Sequence, residues 1–261
     1  MELIDIGCNL THDSFDSDRD EVLARAHDAG VVQMVVTGAS ADGSRAALQL
    51  ALDHPGTLFA TAGVHPHRAA DYDDETDALL RELSSENVVV AVGETGLDYF
   101  RDFSPRDIQR EVFHRQLELG VDSRLPLFLH MRDAHEDFYA ILRETRDQLS
   151  DVVVHCFTGK RDEMHAYLDL DCHIGITGWI CDERRGTHMK EFLAEIPADR
   201  LLVETDAPYL KPRNLRPRVK SHRNEPRWLP WIVGTLAAVR HEHPEKLAAQ
   251  TTANARRFFR L

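Results

Sequence analysis

Short apolar runs alternate with amphipathic stretches along most of this sequence. Runs rich in Val, Ile and Leu occupy residues 3–6, 31–36, 58–64, 88–92, 125–129, 152–154, 173–176 and 201–203. Continuous apolar runs are typical of strands buried on both faces, and the segments between them carry the periodicity of helices. This alternation predicts a parallel sheet covered by helices.

The number of repeats predicts that the sheet closes on itself. Eight strand–helix units within about 205 residues favour a (β/α)8 TIM-type barrel over an open sheet, and such a barrel needs roughly 250 residues. The chain has 261 residues, and two further helices are predicted at 226–240 and 244–259. Since no linker, repeat or low-complexity tract interrupts the pattern, we expect one α/β barrel domain over residues 1–261 with extra C-terminal helices.

The sequence also predicts where in the cell the protein is located. The sequence contains no run of 18 apolar residues, which is about the length needed to cross a bilayer. Its first residues lack the basic and apolar regions of a signal peptide. We therefore expect a cytoplasmic protein with no membrane partner, and a monomer by default. The four cysteines form no CxxC pair and are expected to be free thiols.

Polar residues follow six of the eight predicted strands. The carboxyl ends of barrel strands all face one mouth, so these side chains should converge there. They are Asn9, His65, Glu94, His130, His155 and Asp206.

This group predicts a metal site. Carboxylates crowded near a barrel axis would repel one another and be costly to desolvate unless a cation neutralised them. Two imidazoles, His130 and His155, with two carboxylates, Glu94 and Asp206, suit Zn²⁺, Mn²⁺, Fe²⁺ or, less well, Mg²⁺. Such an ion can activate water and polarise a carbonyl or phosphoryl group, which predicts a metal-dependent hydrolase. Asp206 could also take a proton from the attacking water.

The charge is unevenly distributed. A net charge of −13 argues against a general nucleic-acid binder, yet residues 211–227 hold seven Lys or Arg and one Glu. This basic stretch follows the eighth strand, so we interpret it as a phosphate-binding segment; the alternative is a solvated loop.

Three blocks resemble the TatD family of metal-dependent deoxyribonucleases, which belongs to the amidohydrolase-like barrels. They are Gly93-Glu94-Thr95-Gly96-Leu97-Asp98, residues 126–136 (PLFLHMRDAHE) and residues 196–209 (IPADRLLVETDAPY), and residues 63–67 and 155–159 also fit. The resemblance runs almost end to end. It implies a Mg²⁺- or Mn²⁺-dependent nuclease that removes nucleotides from the 3′ end of single-stranded DNA.

The resemblance also implies roles for individual residues. Glu94, His130 and His155 match metal ligands, Asp206 matches a ligand or base beside the metals, and His65 matches a residue near the scissile phosphate. Glu204, two residues before Asp206, joins His65 and Asp206 as a candidate catalytic residue.

One segment departs from many family members, which carry His-x-His after the first strand. Here Gly7-Cys8-Asn9 stands in that place, similar to the Gly-x-Asn-Leu start of the namesake branch. Asn9 cannot replace two imidazoles. We therefore expect one firmly held ion at Glu94, His130 and His155, and a second, weaker ion near Asp206 that arrives with substrate.

Four further residues are predicted to bind substrate: Asn9, Arg132, Arg184 and Arg185. Trp179 or Tyr209 could stack on an unpaired base. Alternatively, Trp179 packs within its own loop and the two arginines after it pair with Asp182 and Glu183.

Two other functions fit the same residues. A metal-dependent amide or ester hydrolase, such as a deacylase or lactonase, could use this barrel and these ligands. A binding protein with a vestigial site is the third hypothesis. The basic stretch favours the phosphate-rich substrate of a nuclease.

Overall fold

A computed structural model of the protein describes residues 1–217 and 219–261, and within them eight strands form one sheet. The strands follow one another in chain order, and the pairs with a defined register are parallel. They are β1 (Leu3–Cys8), β2 (Val31–Val36), β3 (Leu58–Ala62), β4 (Val89–Asp98), β5 (Leu127–Arg132), β6 (Val152–Val154), β7 (His173–Ile176) and β8 (Leu201–Val203). This is the predicted (β/α)8 TIM-type barrel.

Helices connect the strands from β1 to β7, 3₁₀ turns connect β7 to β8, and two helices follow β8 in the part of the chain that the structure describes. The helices are α1 (Arg19–Asp28), α2 (Ala41–Asp53), α3 (Asp74–Leu83), α4 (Arg106–Ser123), α5 (His135–Thr145), α6 (Arg161–Asp169), α7 (Leu229–Arg240) and α8 (Pro244–Phe259). The last two confirm the predicted C-terminal helices, except that residues 226–228 form a 3₁₀ turn before α7. Within the described residues, no helix combines the length and apolar character needed to cross a bilayer.

The strands are buried as their composition predicts. Every residue of β1, β4, β6, β7 and β8 is buried. A strand buried on both faces needs no polar alternation, so its sequence is a continuous apolar run. The four cysteines are free thiols, as expected.

The internal contacts divide the chain into two compact units. The first comprises Met1–Val36, Cys156–Arg161 and Ile174–Leu261, and the second comprises Thr37–His155 and Asp162–His173. Within the first unit the ends of β1 and β8 are joined, since the N–H of Asp206 donates to Gly7 O (2.9 Å) and that of Asn9 donates to Ala207 O (2.7 Å). The single domain over residues 1–261 stays a prediction.

Within the second unit, β4 is longer than predicted. The apolar run ends at Val92, but the strand continues to Asp98 because its backbone keeps pairing with β5, where Gly96 faces His130 and Asp98 faces Arg132. The polar side chains on this extension are buried with partners, so they do not interrupt the strand. β5 likewise ends three residues later than predicted, at Arg132.

Two buried glutamines on α4 satisfy backbone groups near the ends of β3 and β4. Gln116 accepts from Val64 N–H (2.8 Å) and donates to Val64 O (3.0 Å) and Thr95 Oγ1 (2.6 Å). Gln109, seven residues earlier and therefore on the same helix face, accepts from the N–H of Asp98 (2.9 Å). α4 thus fixes the strand ends that carry the candidate site.

Candidate active site

Glu94 lies at the centre of a histidine cluster in the second unit. Its Oε1 is 2.7 Å from His155 Nε2, 2.9 Å from His130 Nδ1 and 3.4 Å from His65 Nε2. Burial alone would raise the pKa of Glu94, but the three imidazoles hold it well below its usual value. The structure therefore brings together four of the residues selected from the sequence, around one ionised carboxylate.

The hydrogen bonds distinguish the roles of the histidines. His65 Nδ1 accepts from the backbone N–H of His67 (3.1 Å), so a neutral ring carries its proton on Nε2 and donates there. Burial also lowers the pKa of His65 to about 4, which keeps the ring neutral. His65 thus has the tautomer of a hydrogen-bond donor, although its Nε2 lies close enough to Glu94 and His130 to be counted with them as a possible metal-binding group.

His130 is oriented from its far side by Asp98. Its Nε2 lies 3.3 Å from Asp98 Oδ2, leaving Nδ1 directed at Glu94. Burial opposes the charged form, but the two carboxylates raise the pKa of His130 above its usual value. A carboxylate behind a ligating histidine fixes the ring and makes it a better donor to a metal.

Asp98 also receives a second histidine. His67 Nε2 lies 2.8 Å from the same Oδ2. Burial would raise the pKa of Asp98, but the hydrogen bonds from His130 and His67 lower it well below its usual value. Neither Asp98 nor His67 was predicted from the sequence as a site residue. Asp98 ends β4 and His67 follows β3, both within the motifs, and that position was the available signal.

The set of donors fits a divalent cation. His130 Nδ1 and His155 Nε2 each lie within hydrogen-bond distance of Glu94 Oε1, and His65, Glu94 and His130 have ligand atoms within 4.8 Å of one another. One carboxylate with two imidazoles is a common ligand set for Zn²⁺, Mn²⁺ and Fe²⁺. The ring of His155 stacks on Phe128 with centroids 4.4 Å apart, which holds its orientation.

Two glycines of the block around Glu94 are required by close packing. Gly93 and Gly96 both have positive φ, at 141° and 142°, where side chains are strained. A Cβ on Gly93 would collide with the carbonyl oxygen of Phe128, and one on Gly96 with that of His130. The motif is therefore glycine-rich because β4 and β5 approach closely where Glu94 enters the site.

The carboxylates selected after β8 have partners within the first unit. Asp206 Oδ1 accepts from Asn9 Nδ2 (3.0 Å), so these two predicted residues lie together. The fully buried Glu204 accepts from the backbone N–H of Cys156 through Oε1 (2.6 Å). Their participation in catalysis, and that of Asp206 in metal binding, stays a prediction.

Thr205, between these carboxylates, is held by Asp5 of β1. Asp5 accepts from Thr205 N–H (2.9 Å) and Oγ1 (2.5 Å), and complete burial raises its pKa to about 8. Asp5 is not among the site residues predicted from the sequence. Its signal was a single acidic residue inside an apolar run.

A basic pocket of about 430 Å³ lies in the first unit. Its cationic lining combines Arg184 and Arg185 with part of the basic stretch: Lys211, Arg213 and Lys220. Arg218, also in that stretch, lies outside the described residues. The pocket has the charge and size to receive a phosphate group.

The buried Asp182 organises this pocket. It accepts from Arg184 Nε (3.1 Å) and Arg185 Nε (2.9 Å), and Arg213 Nε lies 3.5 Å away. The hydrogen bonds from Arg184, followed by those from Arg185, lower the pKa of Asp182 despite its desolvation. The alternative interpretation expected the two arginines to pair with Asp182 and Glu183; both bond to Asp182, whereas Glu183 accepts from Arg213 Nη2 (3.3 Å).

The end of the basic stretch has a structural role. Arg223 binds Asp18 (2.7 Å) and Glu225 (3.1 Å), and Arg227 lies 3.1 Å from Glu225. Both guanidiniums thus serve contacts within the first unit. Neither Arg223 nor Arg227 lines the pocket, and phosphate binding by the other cations of the stretch stays a prediction.

The aromatic and remaining basic residues are placed as follows. The Trp179 ring lies under the Arg185 guanidinium at 4.2 Å, and its Nε1 donates to Arg185 O (3.3 Å). Tyr209 is largely exposed. In the second unit, Arg132 lies 4.1 Å above the ring of Phe100.

The sequence matches a known protein family over almost its whole length. The model described as TatD related DNase matches residues 4–260. The chain belongs to this family. TatD-related DNases hydrolyse phosphodiester bonds, so the protein is a nuclease, and the alternatives of a deacylase, a lactonase or a vestigial binding protein are set aside.

Individual relatives agree with membership of the TatD-related DNases. A protein of Erwinia billingiae named 3′-5′ ssDNA/RNA exonuclease TatD is 51% identical over 259 residues, covering 99% of each chain. A crystal structure of a TatD homologue from Escherichia coli has a TM-score of 0.90 at 28% identity, covering 99% of this chain and 98% of that one. A TatD family hydrolase from Entamoeba histolytica has a TM-score of 0.88 at 27% identity, with the same coverage.

Proposed function

We propose that this TatD-family nuclease removes nucleotides from the 3′ end of single-stranded DNA with the help of Mg²⁺ or Mn²⁺. The observation that carries the proposal is the convergence of His130 Nδ1 and His155 Nε2 on Glu94 Oε1. The name of the Erwinia billingiae relative supports the polarity and the single-stranded substrate.

Glu94, His130 and His155 would hold the cation, and Asp98 would keep the ring of His130 in place. A divalent ion there supplies polarisation of a phosphoryl oxygen and activation of the attacking water. One firmly held ion is proposed at these ligands, with a second, weaker one near Asp206.

His65 and Asp206 would take part in hydrogen bonding and proton transfer at the reacting phosphate. The Nε2–H of His65 can donate to a phosphoryl oxygen and stabilise charge that develops in the transition state. Asp206 would act as ligand or general base, oriented by Asn9. Glu204, held by the N–H of Cys156, would support the end of β8 beside it.

The basic pocket would hold the phosphates of the strand away from the cleaved bond. Arg184 and Arg185 line this pocket with cations of the basic stretch. Phosphate contacts position a strand without reading its sequence, which suits an enzyme that degrades many sequences. Arg132 would contribute in the same way from the second unit.

The first test is degradation of a 5′-labelled single-stranded oligonucleotide with Mg²⁺ or Mn²⁺. We expect the wild type to produce a ladder that shortens from the 3′ end, and Glu94→Gln to be slower by at least about 100-fold because it loses the charge that organises the ligands. Glu86→Gln changes the same side chain at an exposed position and should leave the rate unchanged.

Metal content and product length decide the outcome. Mass spectrometry should find one tightly held ion per wild-type chain and less in Glu94→Gln. A labelled mononucleotide as the first product would contradict the polarity. Two tightly held ions in the substrate-free protein would overturn the single-ion arrangement.

A further inference from the structure

The loop after β4 exposes two phenylalanines. Phe100 and Phe103 are 53% and 67% exposed, although aromatic rings gain most from burial. Single exposed apolar side chains are ordinary on proteins, as Leu52 on α2 illustrates. Here two exposed aromatic rings lie within four residues of one loop, and we call them the patch; exposed aromatic side chains that occur together are typical of binding surfaces.

The backbone of this loop is held firmly. At one end, Asp98 Oδ1 accepts from the N–H groups of Phe100 (3.0 Å) and Arg101 (2.8 Å). At the other end, the buried Ser104 donates to His67 O (3.2 Å) and accepts from Ala70 N–H (3.1 Å). The rings are therefore presented to solvent by a loop that is fixed at both ends.

The patch adjoins the histidine cluster. The ring of Phe103 contacts that of His67 edge-on, with centroids 4.8 Å apart. His67 shares Asp98 with His130. Two side chains therefore connect the exposed face of Phe103 to a proposed metal ligand.

Guanidinium groups lie beside the patch. Arg132 lies 4.1 Å and Arg101 5.4 Å from the centroid of the Phe100 ring. Aromatic rings bordered by arginines match the chemistry of a single strand, whose unpaired bases stack while its phosphates meet cations. Inside a duplex both faces of a base are stacked, and at its end the base is still paired and stacked on one side, so two stacking rings favour unpaired ends.

We propose that Phe100 and Phe103, together with Arg101 and Arg132, form a stacking platform for the bases at the 3′ end of the substrate. Phe103 carries the base nearest the cluster, and Phe100 with its guanidinium neighbours supports the adjoining nucleotide. This inference rests on the proposed function and adds the element that selects single strands.

The test is steady-state kinetics of Phe103→Ala on a single-stranded oligonucleotide. Loss of one stacking contact should raise KM by about tenfold and leave kcat within about twofold. Phe103→Trp should restore KM to near the wild-type value because it restores a π face. Leu52→Ala is the matched control, since it also removes an exposed apolar side chain in the second unit.

An oligonucleotide with abasic sites at its two 3′-terminal positions separates stacking from a general structural effect. The KM ratio between Phe103→Ala and wild type should fall towards one on this substrate. An unchanged ratio, or a normal KM for Phe103→Ala on the ordinary strand, would overturn the platform.

Binding separates failure of this inference from failure of the proposed function. Fluorescence anisotropy of a labelled oligonucleotide in EDTA measures the platform without cleavage, and Phe103→Ala should bind about tenfold more weakly there as well. A wild type that binds but never shortens the strand would contradict the exonuclease alone. Equal binding by the two proteins would contradict the platform alone.

Discussion

One oxygen atom, Glu94 Oε1, faces three imidazoles, so a single ionised carboxylate orients the rings around it. His65, Glu94, His130 and His155 each follow or end an apolar run, so their convergence could be expected from barrel topology. Their hydrogen-bond roles could not, because the tautomer of His65 depends on a backbone N–H in the following turn. Asp98 was passed over since an Asp after a strand also fits a loop brace, and here it performs both tasks.

Substitution of Asp182 should change the affinity for DNA, and the direction of the change reveals the role of this carboxylate. Asp182→Asn removes a negative charge beside the basic pocket, so simple electrostatics predicts tighter binding of DNA. Because Asp182 holds Arg184 and Arg185 in place, we expect the opposite, a rise of about three- to tenfold in KM.

Kinetics on single-stranded DNA at fixed ionic strength checks this expectation. Asp20→Asn is the control, because it makes the same charge change at an exposed position on α1. A lower KM for Asp182→Asn than for wild type would show that the carboxylate merely offsets the charge of its neighbours.

At the scale of elements, strand positions could be predicted more closely than their ends. The sequence predicted β2, β6, β7 and β8 with their observed bounds, since each is one apolar run between polar segments. It ended β4 at Val92, because Glu94 and Asp98 do not look like strand interior. Their partners come from β5, from α4 and from the segments after β3 and β6, which are distant in sequence, so the extension could be recognised only in three dimensions.

Substitution of Gln116 on α4 should lower the stability of the fold. Gln116→Met keeps the size of the side chain but leaves the N–H and C=O of Val64 buried without their partner. We expect the free energy of unfolding to fall by about 2 to 3 kcal/mol.

Chemical denaturation measures this loss, with Gln49→Met as the matched control. Gln49 lies exposed in the interior of α2 and bonds only to the surface side chain of Asp53 among the contacts described for it, so its replacement should cost less than about 0.5 kcal/mol. Equal losses for the two variants would mean that Gln116 contributes only helix propensity.

Over the whole molecule, positive charge is concentrated in one pocket although the net charge is negative. The chain carries −13, yet the pocket lining combines Arg184, Arg185, Lys211, Arg213 and Lys220. The sequence could locate a basic stretch, but not that Arg223 would bind Asp18 and stay out of the pocket lining. The monomeric state and the cytoplasmic location stay predictions, and light scattering and cell fractionation would test them.

Salt dependence is the corresponding prediction. Binding of a single strand through phosphates should weaken with salt, with a slope of about 0.7 in log Kd against log salt for each phosphate neutralised. Removing two cations of the pocket, Arg213→Gln with Lys220→Gln, should lower the slope by about 1.4.

Anisotropy titrations between about 50 and 200 mM salt measure the two slopes. Arg45→Gln with Lys246→Gln removes the same charge from exposed positions on α2 and α8 and should leave the slope unchanged. If both double variants lowered it equally, net charge rather than the pocket would govern association.

The two carboxylate oxygens of Asp98 bind different parts of the second unit, and this has a thermodynamic consequence. One of its oxygens meets the histidine proposed to hold the cation, while the other fixes the loop proposed to receive the strand. We therefore expect a displacement of the loop to reach the proposed cation site through this one side chain. Linkage would make the effect reciprocal: whatever factor the nucleic acid imposed on cation affinity, the cation would impose on nucleic-acid affinity, and the two ligands would bind as a heterotropic pair.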